Sequence, residues 1–405
     1  MSFTNPRDLG IAVSARAVSL LGDEMAAIAL LLRWQSHGGG APQIALLLVA
    51  AMLPIVVLAP VAGRAADRYD SRLLLVSASL AQAAACAVLV FATAPVAVLA
   101  LVAALAAGQA FTATTWQALL PAISGREGLT RAAGLSQAAT TVAGIAAPAL
   151  AGVLTGAFGA RVPLLIDTAT FLAITAAALL VTTRRRAAQP ADSVQSGGFT
   201  LVWRDPLLRV LVLLLALFIT LGATVNVVEV FLVRSTFGAS ATWYGVLGAV
   251  WGIGLFAGAL VAGRLRQSRL ALGAVIGTVG LSAGLLGYAV APGIWWVLPA
   301  SIIGGIGNGA VNVTGFALVA LRSAETHRGR VMASVNAVAC AAQLGAYALG
   351  GLLGGLLAPR AVFGLAGLAG LLAPVLLGRR LLTAARTAVG DPALEPTRPP
   401  APVPA

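Results

Sequence analysis

The sequence predicts an all-α membrane protein: twelve transmembrane helices in two pseudo-symmetric six-helix bundles. Three observations carry that prediction. The chain is 59% hydrophobic and only 10% charged, whereas ordinary soluble domains are about 25% charged. Apolar runs of the roughly 20 residues needed to cross a bilayer recur along nearly its whole length. Short motifs in the first half return at the same topological point of the second half.

The first six spans are expected at roughly 9–33, 43–64, 72–92, 95–120, 131–157 and 161–183, and the second six at roughly 207–233, 242–264, 269–290, 294–320, 330–357 and 360–382. This divides the chain into an N-terminal bundle (1–183), a polar linker (184–206), a C-terminal bundle (207–382) and a Pro-rich tail (383–405). The linker, "TRRRAAQPADSVQSGGFTLVWRDP", is rich in Pro, Gly and Ser, and the tail, "GDPALEPTRPPAPVPA", reads as disordered or polyproline-like. Residues 1–9 are short and polar, with no small-residue cleavage site after a brief apolar core, so the first span is expected to remain in the mature protein.

Orientation follows from charge. The net charge of +13 rests on arginine alone, because lysine is absent. A basic excess can signal nucleic acid, but these arginines form short clusters between apolar runs, and no nucleic-acid partner is expected. With the amino terminus in the cytoplasm, Arg64, Arg68, Arg72, Arg126, Arg131, Arg184, Arg185, Arg186, Arg204, Arg264, Arg266, Arg269, Arg322, Arg328 and Arg330 all fall inside. Only Arg33, Arg161, Arg234 and Arg360 mark outer ends. That asymmetry predicts both termini in the cytoplasm of a cell inner (plasma) membrane, with Trp34, Trp243, Trp295 and Trp296 at the outer boundary.

The halves repeat. "VAGR" closes the second span at 61–64 and the eighth at 261–264. "LTRAAGLSQA" at 129–138 pairs with "HRGRVMASVNA" at 327–337, aligning Arg131 with Arg330 and Gln137 with Asn336. Two bundles related as parallel repeats, with a site between them near the midplane, form a transporter plan.

Four acids lie inside spans: Asp23, Glu24, Asp167 and Glu229. A charge at the bilayer centre costs at least about 2.5–3.5 kcal/mol, so each is expected to face a cavity or to be protonated. By residue count Asp23 and Glu24 sit mid-span, with Asp167 roughly 7 Å and Glu229 roughly 13 Å toward the outside. Burial disfavours the charged form of a carboxyl group and an approaching guanidinium favours it, so such a group can load a proton on one side and release it on the other. Arg16 lies two turns before Asp23 on one helical face, about 10 Å lower along the axis. It is expected to tune Asp23 rather than to form a fixed salt bridge. Asp23 and Glu24 differ by about 100° in azimuth; Asp23 shares its face with Ser19 and Arg16 and is expected to face the cavity, while Glu24 can instead reach a neighbouring helix. The competing role for any of these acids is polar contact between helices, which contributes about 0.6 kcal/mol on average.

Uncharged polar residues outline a substrate cavity. Asn336, Cys340, Gln343 and Tyr347 recur at helical spacing on span 11, and Asn308 and Asn312 on span 10. Asn226 precedes Glu229 by three residues, and Gln137 and Thr141 share a face of span 5. Cys86 and Cys340 sit in apolar runs and read as small core residues, with no disulfide framework or metal site.

These features resemble the major facilitator superfamily. "GRAADRYDSR", after span 2, is similar to its signature G-x-x-x-D-R-x-G-R-R: Gly63, Asp67, Arg68 and Arg72 match, while Asp70 and Ser71 depart from it. "WQALLPAI", "IDTATF" and "HRGRVMASVN" resemble the proton-coupled efflux branch that includes macrolide-efflux and enterobactin-exporter proteins. "GIAAPALAG" in span 5 is similar to the antiporter pattern ending G-P-x-x-G-G, with Pro148 and Gly152 matching and Ala147 and Ala151 replacing glycines. The intramembrane arginine that many drug antiporters carry in span 4 is absent. The resemblance implies a drug- or siderophore-type exporter with protons as coupling ion, no cofactor, and a monomer in contact with membrane lipid. It also implies that Asp67 latches the halves, with Arg131, Arg328 and Arg330 at the same face and Pro148 and Gly152 in span 5 as further gating elements.

Uptake or facilitated diffusion of a metabolite is the nearest alternative, and a lipid-acting membrane enzyme is one from another class. No His-rich, Cys-nucleophile or metal-ligand cluster supports an enzyme, since His37 and His327 fall in loops on opposite faces. ATP drive lacks its G-x-x-x-x-G-K-[ST] motif, and no selectivity-filter signal suggests a channel.

Overall fold

The computed structural model describes residues 6–183, 198–323 and 325–372. Arg184, Arg185 and Arg186, most of the linker, the end of the twelfth span and the Pro-rich tail lie outside the described residues.

Within them all regular structure is helical. The first six crossings are α1 (Pro6–Ser36), α2 (Ala41–Arg68), α3 (Ser71–Phe91), α4 (Pro95–Gly125), α5 (Gly128–Phe158) and α6 (Arg161–Leu180). After the short helix Gly198–Arg204 come α7 (Pro206–Phe231), prolonged by a π-helical turn at Leu232–Thr236, then α8 (Ala241–Gly263), α9 (Leu270–Val290), α10 (Ile294–Arg322), α11 (Arg328–Leu356) and α12 (Pro359–Leu372). Ten of these are long and apolar enough to cross a membrane. α1 has the length, at 31 residues, but carries Arg16, Asp23, Glu24 and Arg33; α12 is described only to Leu372. A helix satisfies its own backbone hydrogen bonds, which is why an apolar solvent admits this architecture.

Three expectations change. Spans 4 and 5 are not parted by a ten-residue loop: helix continues almost unbroken from Pro95 to Phe158, and the chain kinks only at Gly125 (φ 66°, ψ 173°). Glycine enters that left-handed region without the steric penalty of a Cβ. The linker is not irregular throughout, because Gly198–Arg204 forms about two turns of helix that bury Val202 among Leu208, Leu211 and Val335. The departure from the loop signature also has a structural role: Asp70 Oδ1 accepts from the backbone N–H of Arg72 (2.8 Å) and Leu73 (3.3 Å), capping the start of α3.

Arginines also bind helix ends, where the last carbonyls have no partner in their own helix. Arg33 donates to Leu89 O (3.3 Å) and to Ala92 O at the end of α3. Arg72 donates to Val181 O after α6 (2.7 Å), and Arg360 to Ala289 O in α9 (3.4 Å). Arg322 pairs with Asp205 at 2.9 Å, tying the end of α10 to the segment before α7.

The first six helices meet the last six along two seams lined by small residues. A Cβ added to Gly152 of α5 would lie 2.8 Å from Ala241 O and from Gly245 Cα of α8. One added to Gly351 of α11 would lie 2.6 Å from Ala45 Cβ of α2, and one on Gly354 would lie 2.6 Å from Ala41 Cβ. Both seams lie at the face opposite the arginine clusters. Toward the arginine-rich face, here the basic face, the same helices part: Gly134 and Gly144 of α5, Gly63 of α2, Gly263 of α8 and Gly345 of α11 have nothing within 4 Å of an added Cβ. The two halves therefore touch at the far face and splay toward the basic face.

Candidate functional site

Two pockets flank the opening, one inside each half. The first, about 250 Å³, is lined from α1 by Asp23 and Glu24, from α3 by Gln82, from α4 by Gln109 and from α6 by Asp167, among apolar residues of α1, α2 and α4. Gln109 Nε2 donates to Asp23 Oδ2 at 3.1 Å. The Thr112 hydroxyl lies 3.2 Å from Gln109 Oε1 and can donate to it, turning the amide N–H groups toward the carboxylate. Asp167, only 2% exposed, accepts from the Thr170 hydroxyl at 3.1 Å and from the Cys86 thiol at 3.6 Å.

Gly22 brings the two aspartates together. A Cβ at Gly22 would lie 2.6 Å from both Asp167 Oδ1 and Thr170 Oγ1. Only a residue without a side chain lets α6 press its carboxylate against α1 one residue from Asp23. This corrects the placement of Asp167 toward the outside: it lies level with Asp23, within mutual electrostatic range. Residue counting gives depth only along one helix, whereas the packing of α6 against α1 at Gly22 sets the offset between them.

The separation proposed for Glu24 also changes. It lines the same pocket as Asp23 and is the more exposed of the two. It also lies within electrostatic reach of Tyr347 on α11, across the opening. Arg16 interacts with Asp23 electrostatically but forms no salt bridge with it, and its Nη1 is buried without a hydrogen-bond partner.

The second pocket, about 270 Å³, gathers Asn226 and Glu229 from α7, Asn308 and Asn312 from α10 and Gln343 from α11, together with Trp251, Tyr288 and Phe363. Asn312 Nδ2 donates to Asn308 Oδ1 at 2.7 Å, and Gln343 Nε2 to the Tyr347 hydroxyl at 2.7 Å. Gln137 and Asn336 line neither pocket; both are exposed where α5 and α11 part toward the basic face. Thr141, half-buried, donates back to Gln137 O at 2.9 Å.

The gating set is spread over both faces. Pro148 and Gly152 sit in the α5–α8 seam, where Pro148 Cβ would be 2.8 Å from a Cβ on Gly248. Asp67 is half-buried at the end of α2, and Arg68 and Arg131 are exposed. Arg328 donates to Ala320 O at 3.1 Å and Arg330 Nη2 lies 2.6 Å from His327 Nδ1, so both bind their own half.

Sequence reasoning missed Gln109, Gln82, Gly22 and Tyr288. Two intramembrane glutamines were visible as polar residues in apolar runs, but Gly22 and Tyr288 gain meaning only from what packs against them.

The sequence profile of the Major Facilitator Superfamily matches residues 12–270 and again 220–404. The chain belongs to the major facilitator superfamily. It is accordingly a multi-pass membrane transporter, not an enzyme. No curated protein sequence matches it. Among solved structures, it resembles the nucleoside transporter NupG (TM-score 0.74, 12% identity, covering 95% of this chain and 100% of that one). It also resembles a bacterial homologue of the human lysosomal transporter Spinster in an inward-facing, unoccupied conformation (TM-score 0.71, 13% identity, 95% and 97%). A POT family transporter in complex with a thioalcohol-conjugated peptide is similar too (TM-score 0.72, 11% identity, 93% and 97%). At these identities the likeness concerns the facilitator fold alone.

Proposed function

We propose that this facilitator-superfamily protein exports small amphiphilic molecules across the cell membrane by proton antiport, through alternating access of its two halves. The observation that carries the reading is the convergence of Asp23, Glu24 and Asp167 in one pocket, with Arg16, whose buried Nη1 has no hydrogen-bond partner, within electrostatic range of Asp23. Three carboxylates so close cannot all be ionised cheaply in a low-dielectric site, and a proton shared among them relieves the repulsion. Arg16 is the group positioned to favour the ionised form as the pocket rearranges. With the basic face in the cytoplasm, as positive-inside asymmetry requires, the splayed conformation is the inward-facing one, and Gln137, Thr141 and Asn336 line the route to the cytoplasm. The latch role of Asp67 belongs to the opposite state, in which the basic face closes.

The test is proton-coupled transport in inverted vesicles, with a substrate identified by an efflux screen of dyes, macrolides and siderophores. Asp23→Asn keeps size and hydrogen bonding but cannot titrate; it should abolish gradient-driven accumulation and spare downhill exchange. Because Glu24 shares the pocket, Glu24→Gln should also impair coupling, and the double mutant should be little worse than the more severe single one. Full gradient-driven export by Asp23→Asn would sink the assignment.

A further inference from the structure

The two pockets differ in one respect that bears on their roles. The N-terminal pocket has Arg16 within electrostatic range of one of its acids, Asp23. The C-terminal pocket has one charged lining residue, Glu229, and no arginine lines it. Glu229 instead lies within electrostatic range of the Tyr288 hydroxyl, whose oxygen lies 2.7 Å from Ser301 Oγ. Ser301 donates its one hydroxyl proton to Val297 O at 2.8 Å, so the Tyr288 hydroxyl donates to Ser301. Tyr288 is fixed in turn: it is fully buried and stacked on Phe363, with ring centroids 4.9 Å apart and planes 2° from parallel.

A carboxylate in this setting lacks a counter-charge from the protein. Aromatic walls supply what an organic cation prefers, a negative π-face without the cost of stripping a small, strongly hydrated ion. Trp251 from α8 completes that wall, and Asn226, Asn308, Asn312 and Gln343 offer amides for polar substituents.

We propose that the C-terminal pocket binds the cationic end of an organic ammonium substrate, with Glu229 as its counter-ion and Trp251 and the Tyr288–Phe363 stack as its aromatic wall. Glu229 then serves the substrate, and the N-terminal acids serve the proton. The inference deepens the export reading and relies on it only for the direction of travel. Binding at equilibrium needs no gradient, so failure of proton antiport and failure of this site register in different assays.

The experiment measures binding to the full chain in nanodiscs by isothermal titration calorimetry, with empty nanodiscs subtracted. The probes are (3-hydroxyphenyl)trimethylammonium, whose charge cannot be lost by deprotonation, and its neutral carbon isostere 3-tert-butylphenol. The cation should bind about tenfold or more tightly than the isostere, the scale of a desolvated cation–π contact combined with an ion pair. Glu229→Gln should bring the two probes level, Glu229→Asp should keep a preference for the cation, and Trp251→Leu should weaken the cation more than the isostere. Equal binding of the probes to the unmodified chain overturns the proposal. So does a cation preference that survives Glu229→Gln; should that variant fail to fold, one that survives Trp251→Leu undiminished does the same.

Discussion

Substituting Gly152 by alanine tests the alternating-access reading at one methyl group. In this conformation the new Cβ would sit 2.8 Å from Ala241 O and from Gly245 Cα, and 2.9 Å from Gly245 N. All three are backbone atoms, so no rotamer change relieves the clash. Ordinary contact between carbons lies at about 3.5–4.0 Å, so α5 and α8 must separate by up to about 1 Å. Overpacking of this kind costs about 1–3 kcal/mol. Alanine also gains about 1 kcal/mol of helix propensity over glycine, but that gain is common to both conformations and cancels from their equilibrium. The variant should therefore shift the population away from the state closed at the far face by about 5–150-fold. Pulsed EPR on spin labels at the basic ends of α5 and α8, for example at the exposed Leu135 and Leu260, should show the long distance giving way to a shorter one. Gly10→Ala is the control, since its Cβ would meet nothing within 4 Å. A distance distribution for Gly152→Ala that matches the control would refute the reasoning.

Other expectations concern single contacts. Gly22→Val should push α6 and Asp167 away from α1 and reduce coupled transport more than substrate binding, as read by comparing gradient-driven accumulation with downhill exchange. Asp8 Oδ2 accepts from the backbone N–H and hydroxyl of both Thr182 and Thr183 at 2.7–3.0 Å; Asp8→Asn should cost about 1.5–3 kcal/mol, the worth of hydrogen bonds to a charged group, measured as lowered thermal stability in detergent. Asp67→Asn should leave folding intact, slow transport and reduce cross-linking across the closed basic face; unchanged rates and cross-linking would make Asp67 an ordinary loop residue.

The sequence by itself determined the membrane-helical fold and its repeat, because bilayer thickness and the cost of unpaired backbone groups leave a chain this apolar few alternatives. It also marked Asp23, Glu24, Asp167 and Glu229, since an acid inside an apolar run stands out on composition alone. Only the tertiary structure decided how they are grouped. Periodicity gives a residue's azimuth on its own helix, but not the tilt, overhang or rotation of the helix packed against it. Asp167 therefore joined Asp23 through a glycine that carries no polar signal, Glu24 turned to the shared pocket, and Glu229 was set apart with Tyr288, 59 residues further along the chain. Gln137 and Asn336, which the repeat aligns, face the opening rather than either pocket, because the seams that close over one end of α5 and α11 part toward the other. Small residues made those seams: in lipid, close approach of backbones replaces the hydrophobic drive that orders soluble cores, and which glycines meet is a property of two helices together.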